Sequence, residues 1–214
     1  VFDQSVDIQN TQKITEILFN KIDFTRDLFF SEGILDVLNH ASDKPLYGSK
    51  LGIDATNKIK GEDGFETKSE SSRKIPPLLP MKVLEKFEEI ISCRIIERKD
   101  LTRVAFTTLN KKCPHQGHRL IDKFMNDQEC SSIAVLIVLE DHEDVNDTSA
   151  VLWKVLNNID PKRDMHYYEK RLGIDVTCKT GEDGYSQNWP DEIEMSREVR
   201  QTIDQKWKKM FNEL

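Results

Sequence analysis

The chain has 214 residues, enough for one large domain or two small ones around a real core. Hydrophobic residues at 37% and charged residues at 32% exclude a disordered chain and fit an ordinary soluble globular protein. The net charge of -7, with Lys and Arg scattered among acids along the whole length, speaks against nucleic acid or an anionic membrane as the main partner, because phosphate binding needs clustered cations.

Val1-Phe2-Asp3 reads as the end of a strand, and the opening residues carry no initiator Met, basic n-region or small-residue cleavage site. The expectation is a fragment of something longer, without a secretory signal. Ile14, Ile17, Leu18 and Ile22 at helical spacing predict a first helix, followed by a short strand at 28–30 and a strand-like Leu51-Gly52-Ile53. Residues 67–79, rich in Ser, Lys and Pro, read as a linker. Beyond it, Val83, Leu84, Phe87, Ile90 and Ile91 mark an amphipathic helix, 93–97 and 103–109 alternate as strands, and 116–125 follows as a helix. Residues 133–139 form a continuous apolar, β-branched run, the pattern of a central strand buried on both faces of a parallel sheet. The run is far too short to cross a bilayer. Asp147 or Thr148 can cap a helix carrying Val151, Leu152, Val155, Leu156 and Ile159, which Pro161 stops before a strand at 165–168. A last helix, about 196–212, places Val199, Ile203, Trp207, Met210 and Phe211 on one face. Docking of that face within its own domain is expected, with a subunit contact as the alternative.

An internal repeat organises these elements. Residues 1–30 align without a gap on 138–167, with Asp7, Thr11, Asn20, Asp23, Arg26 and Asp27 matching Asp144, Thr148, Asn157, Asp160, Arg163 and Asp164. A second block matches Leu51-Gly52-Ile53-Asp54-Ala55-Thr56-Asn57-Lys58 to Leu172-Gly173-Ile174-Asp175-Val176-Thr177-Cys178-Lys179, and both copies run on into Gly-Glu-Asp-Gly and an aromatic residue. The first copy begins inside its opening strand and carries extra residues between Asp27 and Leu51, including Gly48-Ser49-Lys50. The expected fold is therefore α/β, with strand–helix–strand crossovers in mostly parallel or mixed sheets flanked by helices, internally duplicated. Residues 1–66 form an incomplete first unit, 67–79 the linker and 80–214 a second, complete unit.

The stretches Ile22-Asp23-Phe24-Thr25-Arg26-Asp27, Gly48-Ser49-Lys50-Leu51-Gly52-Ile53-Asp54-Ala55-Thr56-Asn57-Lys58 and Asn158-Ile159-Asp160-Pro161-Lys162-Arg163-Asp164 together resemble the C-terminal region of the UbiD family, the prenylated-flavin-dependent decarboxylases. Lys112-Cys113-Pro114-His115-Gln116-Gly117-His118-Arg119 is similar, imperfectly, to the family's Pro-Gly-His segment. The resemblance covers most of 1–62 and about 103–214, and the tandem copy is similar to the longer members. It implies a parent enzyme that reversibly decarboxylates an aromatic or α,β-unsaturated acid, such as a quinone precursor. Prenylated FMN and a divalent metal would lie in upstream domains of the same chain. The family's catalytic Glu-Arg-Glu set and metal ligands match no residue here, so no catalytic or metal residue is assigned and no cofactor is expected on this fragment alone. The resemblance also implies a C-terminal domain that packs beside the active-site region and helps to build a homo-oligomer.

Within that frame, Lys50 and Lys58 are the candidate contacts to a flavin phosphate, an ammonium being a suitable point charge, against the default of surface lysines. The pairs Arg26-Asp27 and Arg163-Asp164 read as structural corners, and Asp54, Thr56, Asp175 and Thr177 as turn formers. Cys113, His115 and His118 offer a C-x-H-x-x-H zinc cluster or, as the preferred reading, a strand-to-helix turn. The Gly-Glu-Asp-Gly segments lack a calcium-loop pattern and read as turns. Cys93, Cys113, Cys130 and Cys178 form no CxxC pair and suit reduced thiols in a cytoplasmic setting. The reading from these residues is a non-catalytic assembly region of a UbiD-like decarboxylase; the alternative is a freestanding α/β binding or regulatory module.

Overall fold

The computed structural model describes residues 1–65, 81–98, 101–168, 171–191 and 195–211; the linker expected at 67–79 lies outside the described residues. The first part holds helix α1 (Thr11–Asn20) and a two-stranded antiparallel hairpin of β1 (Leu28–Ile34) and β2 (Tyr47–Ile53). Next come the short helix α2 (Met81–Leu84), strands β3 (Ile90–Arg98) and β4 (Leu101–Leu109), helix α3 (Gln116–Asn126) and strand β5 (Ile133–Glu140). The chain continues through α4 (Thr148–Asn157), α5 (Pro161–Asp164), β6 (Met165–Tyr168), β7 (Arg171–Asp175) and α6 (Arg197–Phe211).

The main sheet has the order β3-β4-β5-β7-β6. Strands β4, β5 and β7 run parallel, while β3 and β6 are antiparallel edges, so the sheet is mixed. Centrality explains the apolar run of β5: Ile133, Leu136 and Val138 join one core with Leu120, Ile121 and Phe124 of α3. Val135, Ile137 and Leu139 face the other core with Val151 of α4 and Leu172 and Ile174 of β7. The first part of the chain helps to close this second face. Helix α1 lies against β4 and β2 against α5, and Phe24 and Leu51 pack on the second core.

Local chemistry fixes the helix starts. The Asn10 and Asp147 side chains accept from the amides of Lys13 and Ala150, both at 3.0 Å, and each cap opens a helix of 10 residues. Pro161 at the first position of α5 costs no hydrogen bond there. After each corner an antiparallel hairpin forms, with Leu28 opposite Ile53 in one and Met165 opposite Ile174 in the other. Val1 lies beside β2, its ammonium donating to the Ile53 carbonyl at 2.7 Å and its carbonyl accepting from Ala55 at 2.9 Å. The aligned Val138 carbonyl accepts from Val176, also at 2.9 Å.

Three expectations need correction. The helix expected over Val83, Leu84, Phe87, Ile90 and Ile91 ends at Leu84, and Ile90 and Ile91 open β3. Successive i→i+3 bonds from Lys86, Phe87 and Ile90 space the apolar residues as a helix would. The strand at 165–168 does not end a parallel crossover; β6 folds back on β7 as an edge, and β7 is the strand parallel to β5. The stripe on α6 is exposed, with Trp207 at 62% and Met210 at 66% of full accessibility, rather than docked in its own domain.

Candidate functional site

The polar residues of the two aligned blocks fold into two similar networks. In the first, buried Asp27 accepts from Arg26 Nε and Nη2 at 2.8 and 2.9 Å and from the Asp23 amide at 2.9 Å. Lys58 Nζ lies 3.1 Å from Asp27 and donates to Asp54 at 2.7 Å, while the Thr56 amide and hydroxyl also donate to Asp54. Burial works to raise the Asp27 pKa, but Arg26, the Asp23 amide and Lys58 hold it below the ordinary value. Lys58 and Thr56 hold the Asp54 carboxyl well below the usual carboxylate range. Gly64 lies against the Arg26 guanidinium at φ +82, a left-handed conformation that favours glycine.

The second network repeats these bonds in a drier setting. Asp164 accepts from Arg163 Nε and Nη2 at 2.8 and 2.7 Å and from the Asp160 amide at 2.8 Å. Lys179 stands 3.2 Å from Asp175 and 3.7 Å from Asp164, and the Thr177 amide and hydroxyl donate to Asp175. Burial raises the Asp164 pKa against the pull of Arg163 and Lys179. For Asp175 burial is again the largest influence, but Lys179 and Thr177 bring the net shift down. A further tie, Asp183, accepts from Lys111 at 2.9 Å, the His115 amide at 2.6 Å and Thr180, joining the Gly-Glu-Asp-Gly turn to the start of α3.

A cleft of about 270 Å³ lies where the hairpin meets α5, lined by residues that include Glu32, Lys44, Tyr47, Ser49, Asp160 and Lys162. Its charges pair across it, Lys162 Nζ donating to Glu32 at 2.9 Å. The sequence-derived candidates do not converge there. Lys50 is exposed on β2 opposite Ser31, while Lys58 is turned to Asp27 and Asp54. Nor do Cys113, His115 and His118 gather round a common point. Arg119 donates to the Cys113 sulfur at 2.8 Å, His115 opens α3 at φ 57, and His118 stacks on His166 at 3.8 Å between ring centroids. Among the described residues no group of three or more His, Cys, Asp or Glu is arranged to hold a metal.

Two features escaped sequence reasoning. The His118–His166 stack joins a helix to an edge strand, and burial together with His118 pushes the His166 pKa down to about 4. Ser49 bonds Asp160 through both its amide and its hydroxyl; only its place in the Gly48-Ser49-Lys50 insertion, which the second copy lacks, drew attention to it.

The model of the 3-octaprenyl-4-hydroxybenzoate carboxy-lyase C-terminal domain matches residues 1–55 and 74–185. The chain belongs to the UbiD C-terminal domain family. Two uncharacterized proteins of Helicobacter pylori are 27% and 26% identical over 211 residues, 96% of this chain and 32% of theirs. An uncharacterized protein of Aquifex aeolicus is 30% identical over 121 residues, 49% of this chain and 25% of its own length. The chain thus spans about a third of the length of the curated relatives it matches first. Among solved structures, the closed form of Sedimentibacter hydroxybenzoicus vanillic acid decarboxylase has a TM-score of 0.48 at 10% identity, covering 60% of this chain and 30% of that one. The UbiD-class enzyme HmfF from Pelotomaculum thermopropionicum, in an evolved dimeric form with prFMN, has a TM-score of 0.44 at 18% identity, covering 55% and 26%.

Among the described residues no carboxylate or histidine cluster fits the divalent metal that the family implies. The buried carboxylates Asp27, Asp164, Asp175 and Asp183 are already bonded to neighbouring cations, hydroxyls and amides, an arrangement that suits internal ion pairs more than a bound cation.

Proposed function

We propose that this chain is the C-terminal, non-catalytic assembly region of a UbiD-like decarboxylase acting on an aromatic or α,β-unsaturated acid, such as a quinone precursor. The observation that carries this reading is the state of the buried acids. Asp27, Asp164, Asp175 and Asp183 are all engaged by local donors, as in a scaffold, where a general acid or base needs a carboxyl facing a cleft. Prenylated FMN and a divalent metal would belong to upstream domains of a longer chain, in keeping with relatives about three times as long. Exposed Lys50 is then the residue placed to meet a phosphate from those domains, while Lys58 serves the Asp27–Asp54 network.

The same reading makes the chain internally duplicated, an incomplete unit of 1–66 and a complete one of 80–214 joined through 67–79. Equal helices, equivalent hairpins and matching Asp-Arg-Lys networks support it. The apolar face of α6 supports a homo-oligomer, and a reducing, cytoplasmic setting suits the free cysteines Cys93, Cys113, Cys130 and Cys178.

Incubating the purified chain with prenylated FMN, a divalent metal and a panel of aromatic and α,β-unsaturated acids tests the assignment. No carbon dioxide is expected from the chain alone, and release from the full-length parent. Turnover by the isolated chain, or a parent without decarboxylase activity, overturns the reading.

A further inference from the structure

The corner that opens α5 lacks a hydroxyl that the aligned corner of the first half possesses. Asp23 Oδ1 accepts from the amide of Thr25 at 3.0 Å and from its hydroxyl at 2.6 Å. In the second half Lys162 stands where Thr25 would be, and its amide donates to Asp160 Oδ1 at 3.2 Å. Lysine brings no hydroxyl to that carboxylate. Ser49 of β2 brings one instead. Its hydroxyl donates to Asp160 Oδ1, its amide donates to Oδ2 at 3.0 Å, and its oxygen accepts from the Lys162 amide at 2.9 Å.

The surroundings are built for this contact. Ser49 is buried, and a Cβ on Gly48 would stand 2.9 Å from Asp160 Oδ2 and 2.5 Å from Ser42 Cβ, so glycine lets the strand approach. Further bonds run along the same seam. The Tyr185 hydroxyl donates to the His40 carbonyl at 2.8 Å, the Ser186 amide donates to Asp43 at 2.6 Å, and His40 lies 3.1 Å from the Asn158 side chain.

We propose that the Gly48-Ser49 segment is a docking key: Ser49 supplies, from the first half of the chain, the hydroxyl that the Asp160 corner of the second half has lost. The contact is made once and in one direction. The second half lacks the insertion that carries Gly48 and Ser49, so it cannot offer the key. Thr25 already fills the first half's own corner. The pairing of the halves therefore closes within one chain, whereas a head-to-tail contact repeated in both halves would propagate from chain to chain. The inference rests on the proposed duplication of the chain and not on its decarboxylase chemistry.

A mutant cycle on the full 214-residue chain tests it. Losing a buried hydroxyl bonded to a carboxylate, Ser49→Ala should lower the melting temperature by about 5 °C. Lys162→Thr alone should be near neutral, and in the double variant the new threonine should recover at least half of the loss. Thr25→Ala, acting in the other corner, should add to Ser49→Ala without coupling. Losses in Ser49→Ala/Lys162→Thr that simply add, with no recovery, overturn the proposal. If Ser49→Ala does not fold, native-state hydrogen exchange on the unaltered chain gives the same information. The Ser49 and Lys162 amides should open together with the β1–β2 hairpin, and a Lys162 amide that stays protected while Ser49 exchanges overturns the key.

Discussion

Asp27 and Asp164 receive the same bonds from an adjacent arginine and from the amide four residues upstream, yet their surroundings differ in wetness. The Lys58 side chain keeps 15% of its surface exposed where that of Lys179 keeps 3%. Short spacings such as Arg-Asp and Asp-x-Thr make corners of this kind legible in a sequence, because the partners are neighbours along the chain. The His118–His166 stack was not legible, since tertiary packing alone brings α3 against β6. That pair predicts an acid response in two stages. The His166 pKa falls from 6.5 to about 4 in the folded chain because burial and His118 oppose the charged form. As pH drops below 6.5 the unfolded chain takes up a proton that the folded chain refuses, so stability declines until about pH 4. The loss should be on the order of 2 kcal/mol after allowance for solvent near the ring. Asp27, Asp54, Asp175 and Asp183 have depressed pKa values, so their contributions persist above the ordinary carboxylate range and vanish only at lower pH. Urea titrations from pH 7 to 4 should show the upper stage in the native chain and lose it in His166→Gln. An unchanged slope in that variant refutes the assignment.

Strand β5 could be read directly, because burial on both faces demands an unbroken apolar run. The α2–β3 boundary could not. Val83, Leu84 and Phe87 face one core through a succession of tight turns, and Ile90 packs against the same cluster from the start of a strand. A helix and this turn-to-strand passage therefore write almost the same apolar spacing, and the ladder with β4 decides between them. Ile91 separates the two arrangements. On a helix its spacing would turn it to the core, whereas in β3 it is 58% exposed. Ile91→Ala should accordingly change stability by no more than about 0.5 kcal/mol. Leu136→Ala, at a fully buried position of β5, should cost roughly 2–5 kcal/mol. Denaturant midpoints for the two variants would measure both, and a large loss at Ile91 contradicts the strand.

At the scale of the whole molecule, aligned stretches of sequence point to similar corners but not to how those corners pack together. The aligned residues mostly tie their own corners, while across the seam Asp160 meets Ser49, which has no aligned counterpart, and Ser49 also meets Lys162, which stands where Thr25 would be. The first half then covers sheet that would otherwise lie open, through Phe24 and Leu51 on the second core. Among the described residues no such internal cover reaches α6. Val199, Ile203, Trp207, Met210 and Phe211 are between 43% and 66% exposed, and Trp207 and Phe211 pack on each other at 4.4 Å between ring centroids. Five apolar side chains along one helix make a face that water disfavours, and burying it against another chain would release on the order of 5 kcal/mol before the cost of association. A charge at its centre should therefore act on assembly and not on folding. Trp207→Glu is expected to shift the parent protein to a smaller species in sedimentation velocity, with the melting transition of the isolated chain moved by less than about 2 °C. A native-sized oligomer carrying Trp207→Glu would mean that α6 meets some other surface, and the assembly role would have to rest on a different face of the fold.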